Sequence, residues 1–268
     1  MIPKQKKINI PLIGLGTYKL IGEECINTVQ KALELGYRHI DTADAYENHK
    51  PIGKAIKNFP RNELFLTTKI YLQDLSSAKV RSSVPRYLKE LQTDYIDLLL
   101  IHWPSPEFKL NETLEAMMRC KEEGLIKSIG VSNFVRKNLE DLEPYHFPIL
   151  TNQIELHPYF QRRELVKACT KAGISITAYR PLAKGAFEQD PILKKIGDKH
   201  HKSPSQIVLR WLIQQDIVAI PKAAKLQHLK DNMSIFDFSL SADEMKTIDA
   251  LDQGKRYCAP EGYPVFPD

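Results

Sequence analysis

Cysteine is scarce in this chain and never closely paired: Cys25, Cys120, Cys169 and Cys258 lie far apart and form no C-x-x-C. A disulfide framework is therefore not expected, and reduced thiols in a reducing compartment are. No apolar run approaches the roughly 18 residues of a membrane span, which excludes a membrane partner from the expectation. No G-x-G-x-x-G follows the first strand-like segment, so a Rossmann dinucleotide site has no anchor. An arginine-rich arm and zinc-finger spacing are both missing, which argues against nucleic acid. Lys4, Lys6 and Lys7 precede an apolar stretch, as in a signal peptide, but Pro11, Gly14 and Gly16 interrupt it. No small-residue cleavage site follows, so a cytoplasmic protein is expected. No composition shift or long linker marks a boundary, and residues 1–268 are read as a single domain.

What is present is ordinary for a soluble globular protein: 43% hydrophobic and 26% charged residues. Lys+Arg 38 against Asp+Glu 33 gives +5, and the basic residues are dispersed. That favours an anionic small ligand over a nucleic acid.

Strand-like and helix-like segments alternate almost from end to end. Strands are expected at 14–18, 39–41, 64–69, 95–102, 127–131, 149–153, 174–179 and 217–220. Tyr95 to His102 is nearly continuously apolar, as in a parallel strand covered on both faces. Helices are expected at 24–35, 47–57, 76–91, 135–143, 161–172 and 204–215, and at 111–123 with Asn111 as its cap. Pro85 should kink the 76–91 helix or shift its start. Ser203-Pro204-Ser205-Gln206 and Ser241-Ala242-Asp243-Glu244 are capping boxes. Eight strands, each followed by a helix, fit an α/β class (β/α)₈ TIM barrel with its active site at the C-terminal end of the strands. A doubly wound sheet is the alternative. The stretch from Gln253 to Asp268 reads as an ordered loop over the barrel mouth.

Asp41, Tyr46, Lys69 and His102 each stand at or just beyond a strand end. Singly, each has a plain structural explanation, a packed tyrosine or histidine or a solvated lysine. Together they could protonate a carbonyl oxygen while hydride reaches its carbon. Tyrosine is a poor acid near neutrality, with a free pKa of about 10. A lysine held charged by an aspartate would stabilise the tyrosinate and lower that value. No metal site is expected, because the histidines are scattered and His200-His201 is read as a polar segment without carboxylate or cysteine ligands nearby.

Gly14-Leu-Gly-Thr-Tyr18, Gly36-Tyr-Arg-His-Ile-Asp-Thr-Ala-Asp-Ala-Tyr46, Thr67-Thr-Lys69 and Ile101-His-Trp-Pro104 closely resemble the signatures of the aldo-keto reductase family. So do Ile129-Gly-Val-Ser-Asn-Phe134, Asn152-Gln153 and Ile220-Pro-Lys222. The resemblance covers essentially the whole chain in order. Within the family, the compact length and the Pro260-Glu-Gly tail look most like bacterial 2,5-diketo-D-gluconate reductases, some of which also reduce methylglyoxal.

The resemblance implies Tyr46 as general acid, Lys69 as the group that lowers its pKa, Asp41 as the holder of Lys69, and His102 as the residue orienting the substrate carbonyl. It implies NADPH, with NADH as the alternative, bound extended across the barrel mouth. Ser132, Asn133 and Gln153 match carboxamide-binding positions, and Tyr179 matches the residue stacking on nicotinamide. Gly16, Thr17 and Tyr18 match the segment near its ribose, with Asp41 beside them. Further along the cofactor, the matching positions are Arg180, Leu182, Lys222, Ala223, Lys225, His228 and Asn232.

Three of these depart from the usual pattern. Arg180 stands where a serine is common, Ala223 replaces another serine, and His228 takes an arginine position at the 2′-phosphate. Tyr18, Tyr46, Tyr71, His102 and Trp103 match substrate-pocket positions, and Tyr263 and Phe266 are expected to complete the pocket. The implied partner is a small carbonyl compound, and a monomer is the default expectation. Two other classes stay open: a nucleotide-sensing regulatory barrel with little turnover, and a lyase using Lys69 as a Schiff-base amine.

Overall fold

The computed structural model describes Pro3, Gln5 and residues 9–258. Pro260, Tyr263 and Phe266 lie outside the described residues. Eight strands appear where the patterning placed them: β1 Leu15–Gly16, β2 His39–Asp41, β3 Phe65–Ile70, β4 Ile96–Ile101, β5 Ile126–Ser132, β6 Ile149–Glu155, β7 Ser175–Tyr179 and β8 Val218–Ala219. Each pairs with the next in parallel, in chain order. An isolated parallel bridge between Ile13, two residues before β1, and Ala219 on β8 brings the two ends of the sheet together.

How far the sheet curls follows from one hydrogen bond. Gln153 Nε2 on β6 donates to Asp41 Oδ2 on β2 at 2.7 Å. Along a flat sheet, strands four places apart would be separated by roughly 19 Å. Only a sheet bent round on itself brings these side chains together across its interior. Alternation along the strands places Asp41, Lys69, Gln153 and Tyr179 on that inner face.

Ten helices are present among the described residues: α1 Gly22–Glu34, α2 His49–Ile56, α3 Ser77–Leu91, α4 Leu110–Glu122, α5 Arg136–Leu142, α6 Arg163–Lys171, α7 Pro191–His200, α8 Pro204–Gln214, α9 Leu226–Met233 and α10 Ala242–Asp249. They turn an apolar stripe inward, as α1 does with Cys25, Val29, Ala32 and Leu33. Both expected capping boxes form, at Ser203/Gln206 and Ser241/Glu244.

Several local expectations need correction. The α4 cap is Lys109, and Asn111 lies inside the helix because the first turn closes two residues earlier. Pro85 does not move the start of α3, which runs unbroken through it from Ser77. Two helices escaped the periodicity reading, α7 and α9. Asp190 caps α7 by accepting from Ile192 N and Leu193 N, and Pro191 starts it, a signal the sequence did carry. His200 therefore ends a helix instead of lying in a polar segment. It also meets a carboxylate, with Nε2 3.1 Å from Glu244 Oε1. Lys199 shares that carboxylate at 2.7 Å, so the cluster is an ion-pair group. No group of three metal-capable side chains occurs among the described residues, and no described helix is long and apolar enough to cross a membrane.

Gly53 shows how tightly α2 packs on α3. A Cβ there would stand 2.5 Å from Glu90 O and 2.8 Å from Leu91 C, both backbone atoms that cannot swing aside. Gly53→Ala is expected to destabilise the fold by about 1–3 kcal/mol, as overpacked cores do. Urea unfolding measures it, and an unchanged midpoint would contradict this packing.

Candidate active site

The candidate side chains carried by the strands stand at one end of the curled sheet. Asp41, Ser132 and Tyr179 close β2, β5 and β7, while Lys69 is the penultimate residue of β3 and His102 follows β4. Strand register aligns them: Asp41 pairs with Gly16 on one side and Thr67 on the other. Gly16 is needed for a closer reason than ligand approach. A Cβ there would lie 2.7 Å from Ile220 O, so only glycine lets the end of β1 meet the chain leaving β8.

At the floor is a buried ion pair. Lys69 Nζ donates to Asp41 Oδ1 at 2.6 Å and to Thr42 O at 2.7 Å, and both charged side chains are sealed from solvent. Burial pushes the Lys69 ammonium below its ordinary pKa, and Asp41 opposes that effect. Gln153 occupies the other Asp41 oxygen.

Above the pair is Tyr46, on a single helical turn, Asp44–Tyr46. Lys69 Nζ lies 5.0 Å from the centre of its ring. His102 stands edge-on to Tyr46 at 5.8 Å, and Tyr18 at 5.1 Å. Burial, and secondarily Lys69, hold His102 down to about 3, so its imidazole is neutral at physiological pH. Its Nδ1 has no hydrogen-bond partner among the described residues. One ring nitrogen of a neutral imidazole can donate to an oxygen.

The amide wall is knitted together. Asn133 Nδ2 donates to His102 O at 3.0 Å and to Ser132 Oγ at 3.1 Å. The Tyr179 hydroxyl donates to Asn133 Oδ1 at 2.8 Å, and burial drives its pKa well up. Asn133 and Arg180 both have left-handed backbone, at φ 62 and 48. For arginine that conformation is uncommon, and such strain collects at sites where a side chain must be aimed. Arg180 Nη1 donates to Tyr257 O at 3.2 Å, while buried Glu155 accepts from Tyr257 N and Cys258 N. The described part of the tail is thereby pinned beside the cavity.

These residues border one cavity of about 820 Å³. Gly16, Thr17, Tyr18, Asp41, Tyr46, His102, Trp103, Ser132, Asn133, Gln153 and Tyr179 line it, together with Arg180, Leu182, Lys222, His228 and Asn232. Lys69 lies beneath the wall. Ala223 is buried and Lys225 precedes α9; neither lines the cavity. Tyr71 borders a neighbouring cleft of about 630 Å³ with Asp44, His49 and Arg86 instead. Sequence reasoning missed Lys19, Lys184, Glu188, Ser205 and Asp231, which also line the cavity. Lys19, beside Tyr18, could have been suspected; Ser205 lies in the capping box at the start of α8, and Lys184, Glu188 and Asp231, the last within α9, carry no pattern to mark them.

The cavity suits a large anionic ligand: its lining combines amides and aromatic rings with the cations Lys19, Arg180, Lys184 and Lys222, which outnumber Glu188 and Asp231. Its size falls within the usual range for such pockets, roughly 300–1,000 Å³.

Comparison with known proteins places this arrangement in context. The aldo/keto reductase family model matches residues 12–253. Methylglyoxal reductase DkgA of Escherichia coli K12 is 44% identical, over 92% of this chain and 91% of its own length. Methylglyoxal reductase DkgB of Escherichia coli O157:H7 is 41% identical, over 94% and 97%. Among solved structures, an aldo-keto reductase from a Medee basin deep-sea metagenome library superposes with a TM-score of 0.92 at 38% identity, over 97% of both chains. A candidate 2,5-diketo-D-gluconic acid reductase B does so with 0.92 at 37%, over 97% and 95%.

The buried imidazoles have a pH consequence. Burial holds His39 at about 4 and His102 at about 3, whereas both titrate near 6.5 when unfolded. Between those values the unfolded chain binds protons that the folded chain refuses, so stability falls as pH drops from about 6.5 towards 4. His39→Gln should flatten that fall. Urea unfolding at pH 7.5 and 5 tests it, and a variant slope equal to the wild type would refute a neutral His39.

Proposed function

Since the chain belongs to the aldo/keto reductase family and is an oxidoreductase, we propose that it reduces small aldehydes and ketones with NADPH, Tyr46 being the general acid. The domain is a closed (β/α)₈ barrel spanning 1–268 and acting as a monomer, with catalysis at the C-terminal ends of the strands. The observation that carries the reading is the sealed Asp41–Lys69 pair under Tyr46, with a neutral His102 beside it and a cavity above.

The dinucleotide, when bound, supplies hydride to the carbonyl carbon. Ser132, Asn133 and Gln153 would hold its carboxamide, Tyr179 would stack on its ring, and Arg180 and Lys222 would meet its phosphates. Lys222, with His228 nearby, favours NADPH over NADH at the 2′-phosphate.

The chain's own chemistry is proton delivery and orientation. His102, neutral because buried, donates a hydrogen bond to the substrate oxygen without adding a charge. Tyr46 gives that oxygen its proton as negative charge develops there. Lys69 stabilises the tyrosinate left behind, and Asp41 keeps Lys69 charged against the cost of burial. Trp103 and Tyr18 give the cavity an aromatic lining suited to methylglyoxal or a sugar-derived ketone such as 2,5-diketo-D-gluconate.

The alternatives fare less well. Lys69 is inaccessible and already bound by Asp41 and Thr42, which disfavours a Schiff-base amine. A nucleotide sensor would have no use for the acid.

NADPH oxidation with methylglyoxal is expected in the wild type. Tyr46→Phe should lower kcat by about 10²–10⁴, the usual worth of a positioned acid, while keeping NADPH binding. Lys222→Ala should weaken NADPH about ten- to a hundredfold and leave NADH unchanged, as loss of a charged hydrogen bond would. Tight NADPH binding without turnover of any carbonyl tried would favour the sensor.

A further inference from the structure

Asn48, the residue preceding α2, is fully buried and joins two loops that flank the ion pair. Its Nδ2 donates to Thr17 O at 2.9 Å, Thr17 Oγ1 at 3.2 Å and Leu20 O at 3.0 Å. Its Oδ1 accepts from Thr42 Oγ1 at 2.5 Å. Both threonines are bound to the pair in turn. Thr17 donates to Asp41 O through N at 3.1 Å and through Oγ1 at 2.8 Å, and Thr42 O accepts from Lys69 Nζ. One amide therefore ties down the backbone on both sides of Asp41, the loop bearing Tyr18, and the carbonyl that holds Lys69.

The geometry of an ammonium gives this weight. Lys69 has three N–H bonds in a tetrahedral array. Two are directed at Asp41 Oδ1 and Thr42 O, and two fixed directions on a tetrahedron determine the third. Were the Thr42 carbonyl free to turn, Asp41 alone would hold the ammonium, Nζ could swing about that one contact, and its position relative to Tyr46 would vary. Thr42 lies one residue past β2. Its N donates to Thr67 O, and among the described residues its hydroxyl bond to Asn48 is what anchors it from the α2 side.

We propose that Asn48, acting through Thr42, is a positioning residue for proton transfer, fixing the direction in which Lys69 faces Tyr46. This rests on the carbonyl-reductase reading above. A merely structural Asn48 would lower stability and leave the pH behaviour of turnover alone. A positioning one alters how readily Tyr46 gives up its proton.

The test compares Thr42→Val, which keeps the shape but loses the hydroxyl, with Thr42→Ser, which keeps the hydroxyl, and with Asn48→Ala. Turnover of methylglyoxal with NADPH is followed across pH. Tyr46 is titrated separately in the free protein by ¹³Cζ-tyrosine NMR, its resonance identified by loss in Tyr46→Phe.

Thr42→Val and Asn48→Ala should lower kcat about ten- to a hundredfold, the scale of an ångström's misplacement, with little change in KM. Tyr46 must be protonated to act in reduction, so a weaker influence of Lys69 moves the alkaline limb of kcat to higher pH. The NMR titration should move the same way, and Thr42→Ser should restore both. A folded Thr42→Val with wild-type kcat and pH profile, or a Thr42→Ser as impaired as Thr42→Val, overturns the proposal. Should Asn48→Ala not fold, the threonine pair decides. Should the wild type turn over no carbonyl, the functional reading falls, and the NMR comparison still judges the positioning role by whether Tyr46 titrates differently in Thr42→Val.

Discussion

A lysine sealed from water beneath the cavity floor, held by one aspartate, is the constraint on which the rest of this site depends. An unpaired buried ammonium would cost several kcal/mol, and breaking such a pair is strongly destabilising. Asp41 meets that cost only because strand register sets it beside Lys69, and Gln153 and Thr17 secure its remaining oxygens. The curl of the sheet is part of the same arrangement, since Gln153 reaches Asp41 from the opposite wall.

From that pair outwards, order passes from strands to loops. Strand ends fix the charged groups, whereas Tyr46 and Tyr18 sit on loops that need separate restraint. Asn48 supplies it from within, using an amide that can donate and accept at once. At the other side of the cavity, Glu155 and Arg180 restrain the start of the tail through its backbone. Loops carried on a rigid sheet are the usual way in which barrels combine stability with specificity.

Much of this was legible in the chain. The strand at Tyr95–His102 declared itself by continuous apolar character, and the capping boxes at Ser203 and Ser241 by local hydrogen-bonding chemistry. The family expectation, raised by motifs from Gly14 to Lys222, is borne out by relatives covering nearly the full length. The misreadings have physical causes. Asn111 looks like a cap, but a cap is decided by which turn closes first. Tyr71 follows β3 one residue after the strand ends, where the chain turns outward and carries it to the neighbouring cleft. Lys184, Glu188 and Asp231 are ordinary surface residues until distant loops are folded round one space.

By itself, the sequence determined the alternation of strands and helices and singled out four candidate side chains, because hydrophobic period and residue chemistry are local properties. Only the tertiary structure decided that Gln153 meets Asp41, that Asn48 binds Thr17 and Thr42 together, and that His102 is neutral. Each of those depends on what surrounds an atom in space. A hydrogen bond across a barrel, or the burial that strips an imidazole of its proton, is made by segments that the chain order keeps far apart.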